Sequence, residues 1–197
     1  MWTIDPIDGT KGFLRGGQYA VCLSLIVNAQ VQVGVIGCPN LPVDPEKPDS
    51  ERGCIFTAVR GHGAEQVSTD RPLITCAHAN QAFQQTTLSG AHPKPLKIPD
   101  ITLSGLNFLE SVEAAHSSHS FNDRVSSTLG ITCSPIRMDS QAKYGCLARG
   151  EGGVYLRMPT GVGYMEKIWV RSVAFSPQRF PYDPRPLQGS CTWFHLG

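Results

Sequence analysis

The chain has 197 residues, 17 Lys and Arg against 16 Asp and Glu, and a formal net charge of +1. That size allows one or two small domains with a real core, and the near-neutral balance excludes a general nucleic-acid binder, which would carry a basic stripe. Charged residues make up 17% of the chain, with 20 Gly and 15 Pro, which favours a strand- and loop-rich body over a helical bundle. Seven cysteines occur without a Cys-x-x-Cys spacing, so a zinc or dithiol site is not expected, and the odd count suits buried thiols in a reducing compartment. No signal peptide opens the sequence and no apolar run is long enough to span a membrane, so the cytoplasm is expected, with the nucleus second.

The first stretch, Trp2-Thr3-Ile4-Asp5-Pro6-Ile7-Asp8-Gly9-Thr10, organises the chain. A strand carrying Trp2 and Ile4 is expected to stop at Pro6, which has no N–H for a ladder. Asp5, the Ile7 carbonyl and Asp8 then face one point with hard oxygen ligands of the kind Mg²⁺ prefers. Gly9 lets a phosphate approach its backbone. A helix opened by Thr10 and Lys11 favours an anion at the same place. Metal and phosphate at one site is the arrangement for metal-assisted phosphoryl transfer. A bare Asp-x-x-Asp, by contrast, is commonly a solvated turn.

Tyr19 to Val27 is almost wholly apolar and β-rich, as for a central strand. Asn28-Ala29-Gln30 turns it, and Val31, Val33 and Val35 alternate back as a second strand ending at Cys38-Pro39-Asn40-Leu41-Pro42. Val43 to Arg52 is polar and broken by prolines, hence an exposed loop. Cys54 to Val59 and Ala64 to Val67 are strands joined at Gly61-His62-Gly63, where His62 reads as a turn residue. Asp70 to Pro99 is loop-like, with His78 and His92 facing solvent and Leu96 to Ile98 entering a crossing.

From Thr102 strands alternate with helices, which implies an α/β second half. Asn107 to Val112 is a strand and Glu113 to His119 a loop. Ser120 is expected to cap a helix over Phe121 to Leu129 that Gly130 stops. Ile136 to Met138 is a short strand. Asp139 or Ser140 is expected to cap a helix through Ala148 that Gly150 closes, and Val154 to Met158 is a last strand. Val170 to Gly197, with Pro177, Pro181, Pro184 and Pro186, has neither period.

The string Asp5-Pro6-Ile7-Asp8-Gly9-Thr10-Lys11-Gly12-Phe13-Leu14-Arg15-Gly16-Gly17-Gln18-Tyr19-Ala20-Val21 resembles the inositol monophosphatase superfamily of Mg²⁺-dependent, lithium-sensitive phosphatases. Lys11 to Tyr19 is similar to its 3'(2'),5'-bisphosphate nucleotidase branch. Tyr164-Met165-Glu166-Lys167-Ile168-Trp169 resembles the family again, so the resemblance spans Trp2 to Trp169 and is weakest over Thr69 to Ile101.

The resemblance implies an α/β (α+β layered sandwich) fold of the sugar-phosphatase type, incomplete at both ends. Residues 1–100 would be the remainder of a metal-binding α+β domain, 101–169 part of an α/β domain, and 170–197 an irregular tail. It implies two or more Mg²⁺ ions, with Asp5, Ile7 and Asp8 as metal ligands and Thr10 orienting the attacking water. The phosphate would rest on the amides near Gly9 and Thr10. Glu113-Ala114-Ala115-His116-Ser117-Ser118-His119 resembles a nucleotide-contacting loop acting through His116, and Asp139 to Tyr144 a second contact through Ser140 and Lys143. Val154 to Pro159 resembles a third, through Arg157. Read from the residues alone, Ser140 could equally cap its helix, Lys143 be solvated, and Arg157 pair with an acid.

The implied function, linked to sulfate assimilation, is removal of the 3'-phosphate from adenosine 3',5'-bisphosphate, leaving AMP, or from the related 3'-phosphoadenosine 5'-phosphosulfate, by a monomer that binds neither nucleic acid nor membrane. The alternatives are an inositol phosphate phosphatase and a non-catalytic nucleotide-binding remnant. Family members carry a further segment before the motif, with a helix bearing a metal-binding Glu, and place the first strand in mid-sheet. They also have Asp where Val170 stands. A truncated start, a divergent end and slow hydrolysis by the chain as written are therefore expected, and with its start missing an organellar address is also open.

Overall fold

The computed structural model describes residues 1–68, 94–96, 102–113 and 119–156. Six antiparallel strands form the first sheet in chain order: β1 (Trp2–Asp8), β2 (Ala20–Val27), β3 (Gln30–Pro42), β4 (Arg52–Val59), β5 (Gly63–Ser68) and β6 (Lys94–Pro95). A short helix α1 (Thr10–Leu14) links β1 to β2. The second sheet is parallel, in the order β8-β7-β9, from β7 (Phe108–Glu110), β8 (Ile136–Arg137) and β9 (Val154–Tyr155). Helix α2 (His119–Leu129) connects β7 to β8, and α3 (Ala142–Ala148) connects β8 to β9. The chain is thus of mixed α/β class. No helix among the described residues is long and apolar enough to cross a membrane.

The first sheet follows from alternation. Asp5, Cys22, Ile36, Phe56 and Gln66 stand opposite one another in successive strands, so their side chains share one face. Cys22, Ile36 and Phe56 on that face are buried. The opposite face carries Trp2 and Ile4, both exposed, beside half-buried Leu23 and Leu25. At the β2–β3 turn Asn28 and Ala29 have φ of 50° and 59°, the left-handed pair that suits a two-residue hairpin between Val27 and Gln30.

Helix α3 lies between the sheets. One core joins Ala20, Cys22, Ile36, Cys38, Leu41, Cys54 and Phe56 of the first sheet to Leu109, Ala142, Cys146 and Tyr155. Gly145 lets α3 sit directly on Phe56: a Cβ there would come within 2.4 Å of the ring. The other face of the parallel sheet packs Phe108 and Val154 with Leu106, Ile131 and Leu156 against Phe121 and Val125 of α2. The layers are therefore antiparallel sheet, α3, parallel sheet, α2. Full burial of a Leu or Ile such as Leu109 or Ile36 contributes about 1.5–3 kcal/mol each.

Several expectations need correction. β1 does not stop at Pro6 but continues to Asp8, because a bulge lets the chain pass the proline without a ladder bond. β1 pairs with β2 alone among the described residues. β3 ends at Pro42, within the Cys38-to-Pro42 stretch expected to end it, re-pairing with Arg52 after a register shift. Lys94–Pro95 forms a short strand on β5 where loop was expected. α2 begins at His119, before Ser120. Neither Asp139 nor Ser140 is the N-cap of α3; that residue is Gln141. The C-terminal expectation holds: Gly150 has φ 85°, and the N–H groups of Gly150 and Glu151 bond back to Leu147 and Cys146, a left-handed closure. His62 sits in its turn as read. Residues 157–197, with Arg157, Trp169, Val170 and the expected tail, lie outside the described residues, as do His78, His92 and His116.

Candidate active site

Residues three apart on a regular strand point to opposite faces. Asp5 and Asp8 escape that rule. Asp5 stands opposite Cys22 and Asp8 opposite Ala20; three residues on β1 are matched to two on β2. The extra residue flips the alternation, so both carboxylates lie on the face of Cys22 and Ala20. Bulges re-aim side chains in this way, and Pro6 is tolerated inside one. The Cys22 thiol registers both acids: burial pushes it up first, and Asp8 and then Asp5 push it further.

The loop is braced from within. The Ile7 N–H donates to Asp5 Oδ1 at 3.2 Å, and the Thr10 hydroxyl donates to the Ile7 carbonyl at 3.4 Å. Gly9 takes φ 80°, a left-handed conformation that opens α1. It is also a point of close approach, since a Cβ at Gly9 would lie 2.6 Å from that of Ser140.

Topology brings Ser140 there. From β7 the chain turns to α2 on one face of the parallel sheet, and from β8 it turns to α3 on the other. A crevice opens between the carboxyl ends of two such strands, the usual ligand site of α/β sheets. The Asp5–Thr10 loop meets the turn that follows β8 at this end of the sheet. Gln141 N–H donates to Asp8 Oδ2 at 2.5 Å, and Ser140 has φ 66°. The Lys143 ammonium donates to the carbonyls of Met138 at 3.0 Å and Ser140 at 2.8 Å. Lys143 is 3% exposed; it is an internal brace of the turn, not a solvated side chain.

Beside this lies an ion-pair network that joins the two halves of the sequence. Arg15 forks onto Glu113 Oε1 and Asp139 Oδ2, both at 2.8 Å, and Lys11 reaches Glu113 Oε2 at 2.9 Å. The Arg15 and then the Lys11 hydrogen bonds hold the Glu113 carboxyl below its usual range. Further in, the fully buried Glu110 accepts from Asn122 of α2 at 2.8 Å and Arg137 of β8 at 3.0 Å, and so ties α2 to the strand ends. A cleft of about 330 Å³ runs past Arg15, Gln18, Asn40, Arg52, Arg137 and Asp139.

Contacts thus join the Asp5–Thr10 loop to the turn after β8: Asp8 accepts from Gln141, Gly9 lies against Ser140, and Lys143 braces the Ser140 carbonyl. Arg15 is absent from the residues expected at this site, while Glu113, Asp139 and Gln141 enter it in their own right rather than only within stretches acting through His116, Ser140 and Lys143. A local signal for Arg15 is its place four residues after Lys11, at the C-cap of α1.

The residues present fit a hard divalent cation. Two carboxylates share a face, the Ile7 carbonyl lies between them in the chain, and each carboxylate already has a supporting N–H, as metal-binding carboxylates do. Among the described residues no cluster of three or more His, Cys, Asp or Glu side chains is placed to hold a metal.

Residues 1–169 match the model of the inositol monophosphatase family. Over 170 residues the chain is 46% identical to the 3'(2'),5'-bisphosphate nucleotidase of Schizosaccharomyces pombe, covering 86% of this chain and 44% of that protein. Identity to the enzyme of the same name from Emericella nidulans is 45% over 180 residues, 86% of this chain and 47% of the relative. For 3'(2'),5'-bisphosphate nucleotidase 1 of Arabidopsis thaliana it is 40% over 176 residues, 85% and 44%. The chain therefore spans about half the length of the curated relatives it matches. Among solved structures, the extragenic suppressor protein suhB of Bartonella henselae superposes with a TM-score of 0.54 at 17% identity, covering 88% of this chain and 53% of that one. A staphylococcal IMPase-I complexed with products gives 0.52 at 16%, with 88% and 50% covered. At those identities the likeness is one of fold.

Proposed function

We propose, from the premise that the chain belongs to the inositol monophosphatase family, that it forms the metal- and phosphate-binding part of a Mg²⁺-dependent 3'(2'),5'-bisphosphate nucleotidase. Its substrate is then adenosine 3',5'-bisphosphate, cleaved at the 3'-phosphate to give AMP and phosphate. The observation that carries the reading is the bulged Asp5–Asp8 loop docked on Ser140 and Gln141 at the crevice. The identity of 40–46% to proteins named for this activity supports it.

Asp5, the Ile7 carbonyl and Asp8 would hold the metal. When bound, Mg²⁺ lowers the pKa of a coordinated water and offsets charge on the phosphoryl oxygens. The Thr10 hydroxyl, already fixed against the Ile7 carbonyl, orients the attacking water. Gly9, lacking a side chain, lets the loop close on Ser140, and the phosphate rests on the first-turn amides of α1 near Gly9 and Thr10, which have no intrahelical partner. Ser140 contacts the nucleotide from the crevice side, and Lys143 adds its positive charge at the same turn. His116 and Arg157 complete the nucleotide contacts. The buried free thiols suit a reducing compartment, and we assign the cytoplasm.

The test is release of inorganic phosphate from adenosine 3',5'-bisphosphate and from inositol 1-phosphate, with and without Mg²⁺. The proposal expects Mg²⁺-dependent release with a higher kcat/KM for the bisphosphate. An equal or higher kcat/KM for the inositol ester would assign the protein to the other phosphatases of its family.

A further inference from the structure

We propose that Arg15 is a positioning residue that sets the Asp8 carboxylate and the Ser140 turn without touching either; the functional part of this inference rests on the metal-site reading above.

The path is short and continuous. The Arg15 guanidinium meets Asp139 Oδ2 at 2.8 Å. Ser140 follows Asp139 directly, and Gln141 then donates its N–H to Asp8 Oδ2 at 2.5 Å. A fixed Asp139 therefore fixes the amide that braces Asp8. The socket for Asp139 is built into α1: a Cβ at Gly12 would lie 2.7 Å from the Asp139 Cβ and 2.8 Å from its Oδ2. Asp139 thus rests against the helix backbone, and its side chain is 11% exposed.

The turn needs such a hold. Ser140 has a left-handed φ of 66°, a conformation that non-glycine residues keep only where their surroundings over-determine it. Three contacts do so: Arg15 through Asp139, Lys143 on the Ser140 carbonyl at 2.8 Å, and the Gly9 backbone against its Cβ. Arginine suits the task better than lysine. Its planar fork spans Glu113 at the end of β7 and Asp139 after β8 with separate N–H groups, where one ammonium would serve as a point charge. Lys11 engages Glu113 alone among these acids, so it provides a matched control.

The experiment compares ¹⁵N-labelled wild-type protein with Arg15→Gln, Arg15→Lys and Lys11→Gln, reading amide proton shift and exchange at Ser140 and Gln141, then Mg²⁺ titrations. Arg15→Gln should speed Gln141 amide exchange about fivefold, the scale of a partly exposed pair. It should also move that proton upfield as its bond to Asp8 lengthens, and raise the half-saturating Mg²⁺ concentration. Arg15→Lys should show a smaller change of the same kind, and it remains informative if Arg15→Gln does not fold. Lys11→Gln should leave the Gln141 amide in place. An unmoved Gln141 amide in a folded Arg15 variant, or an equal change in Lys11→Gln, overturns the proposal. If the Gln141 amide responds but the wild-type protein binds no Mg²⁺, the latch stands and the metal-site reading falls.

Discussion

Gly9 and Gly16 both take left-handed backbone, φ 80° and 70°, but they differ in what surrounds them. A Cβ at Gly16 would meet nothing within 4 Å. One at Gly9 would meet Ser140 at Cβ 2.6 Å, Cα 3.1 Å and N 3.1 Å. Replacing either with alanine therefore imposes the left-handed penalty, roughly 1–2 kcal/mol, and both gain the same small benefit from a stiffer unfolded chain. Only Gly9→Ala adds overpacking, about 1–3 kcal/mol, because the opposing atoms include backbone. The total for Gly9→Ala is then about 2–5 kcal/mol, against about 1–2 kcal/mol for Gly16→Ala. Urea unfolding of both variants and the parent, compared at constant m, measures the difference. Gly9→Ala should also weaken Mg²⁺ binding, since it pushes Ser140 and Gln141 off Asp8, while Gly16→Ala should not. Equal losses of stability in the two variants would refute the close approach of the metal loop to the Ser140 turn.

Gly145→Ala should cost about 1–3 kcal/mol in the same assay, because its Cβ would press on Phe56, which is itself buried. Among the described cysteines, Cys133 should be alkylated first, being exposed; Cys22, Cys38, Cys54 and Cys146 are buried with thiols pushed up by that burial and should react only on unfolding. Mass spectrometry after brief iodoacetamide treatment reads this directly. Glu113 has a depressed pKa, so its contribution to stability is present above the ordinary carboxylate pKa of 4.5 and is lost as pH falls through its lower folded value. Glu113→Gln should accordingly flatten the acid limb of the stability–pH curve, and an unchanged limb would count against the Lys11–Glu113–Arg15 pairing.

The strands of the first sheet were legible because their cues are local. Val31, Val33 and Val35 alternate, and Asn28-Ala29 marks the turn. The path of β1 past Pro6 was not, because a bulge is a property of the pairing with Ala20 and Cys22, not of β1 alone. Ser140 looked like a helix cap by residue type, yet its left-handed φ and its contact with Gly9 depend on a segment about 130 residues away, as the Gln141–Asp8 bond does. Arg15, Glu113 and Asp139 are ordinary surface charges until the fold closes sequence gaps of 98 and 124 residues. Nothing in the sequence around Lys143 indicates that its ammonium is buried on two carbonyls.

The bulge puts Asp5 and Asp8 on one face, where the two carboxylates would share a divalent cation. Calorimetric titration of Mg²⁺ into the wild-type protein, Asp5→Asn, Asp8→Asn and the exposed-loop control Glu46→Gln tests it most directly. The account predicts that both Asp variants lose most of the affinity and that Glu46→Gln keeps it. Wild-type affinity in Asp5→Asn or Asp8→Asn would contradict it.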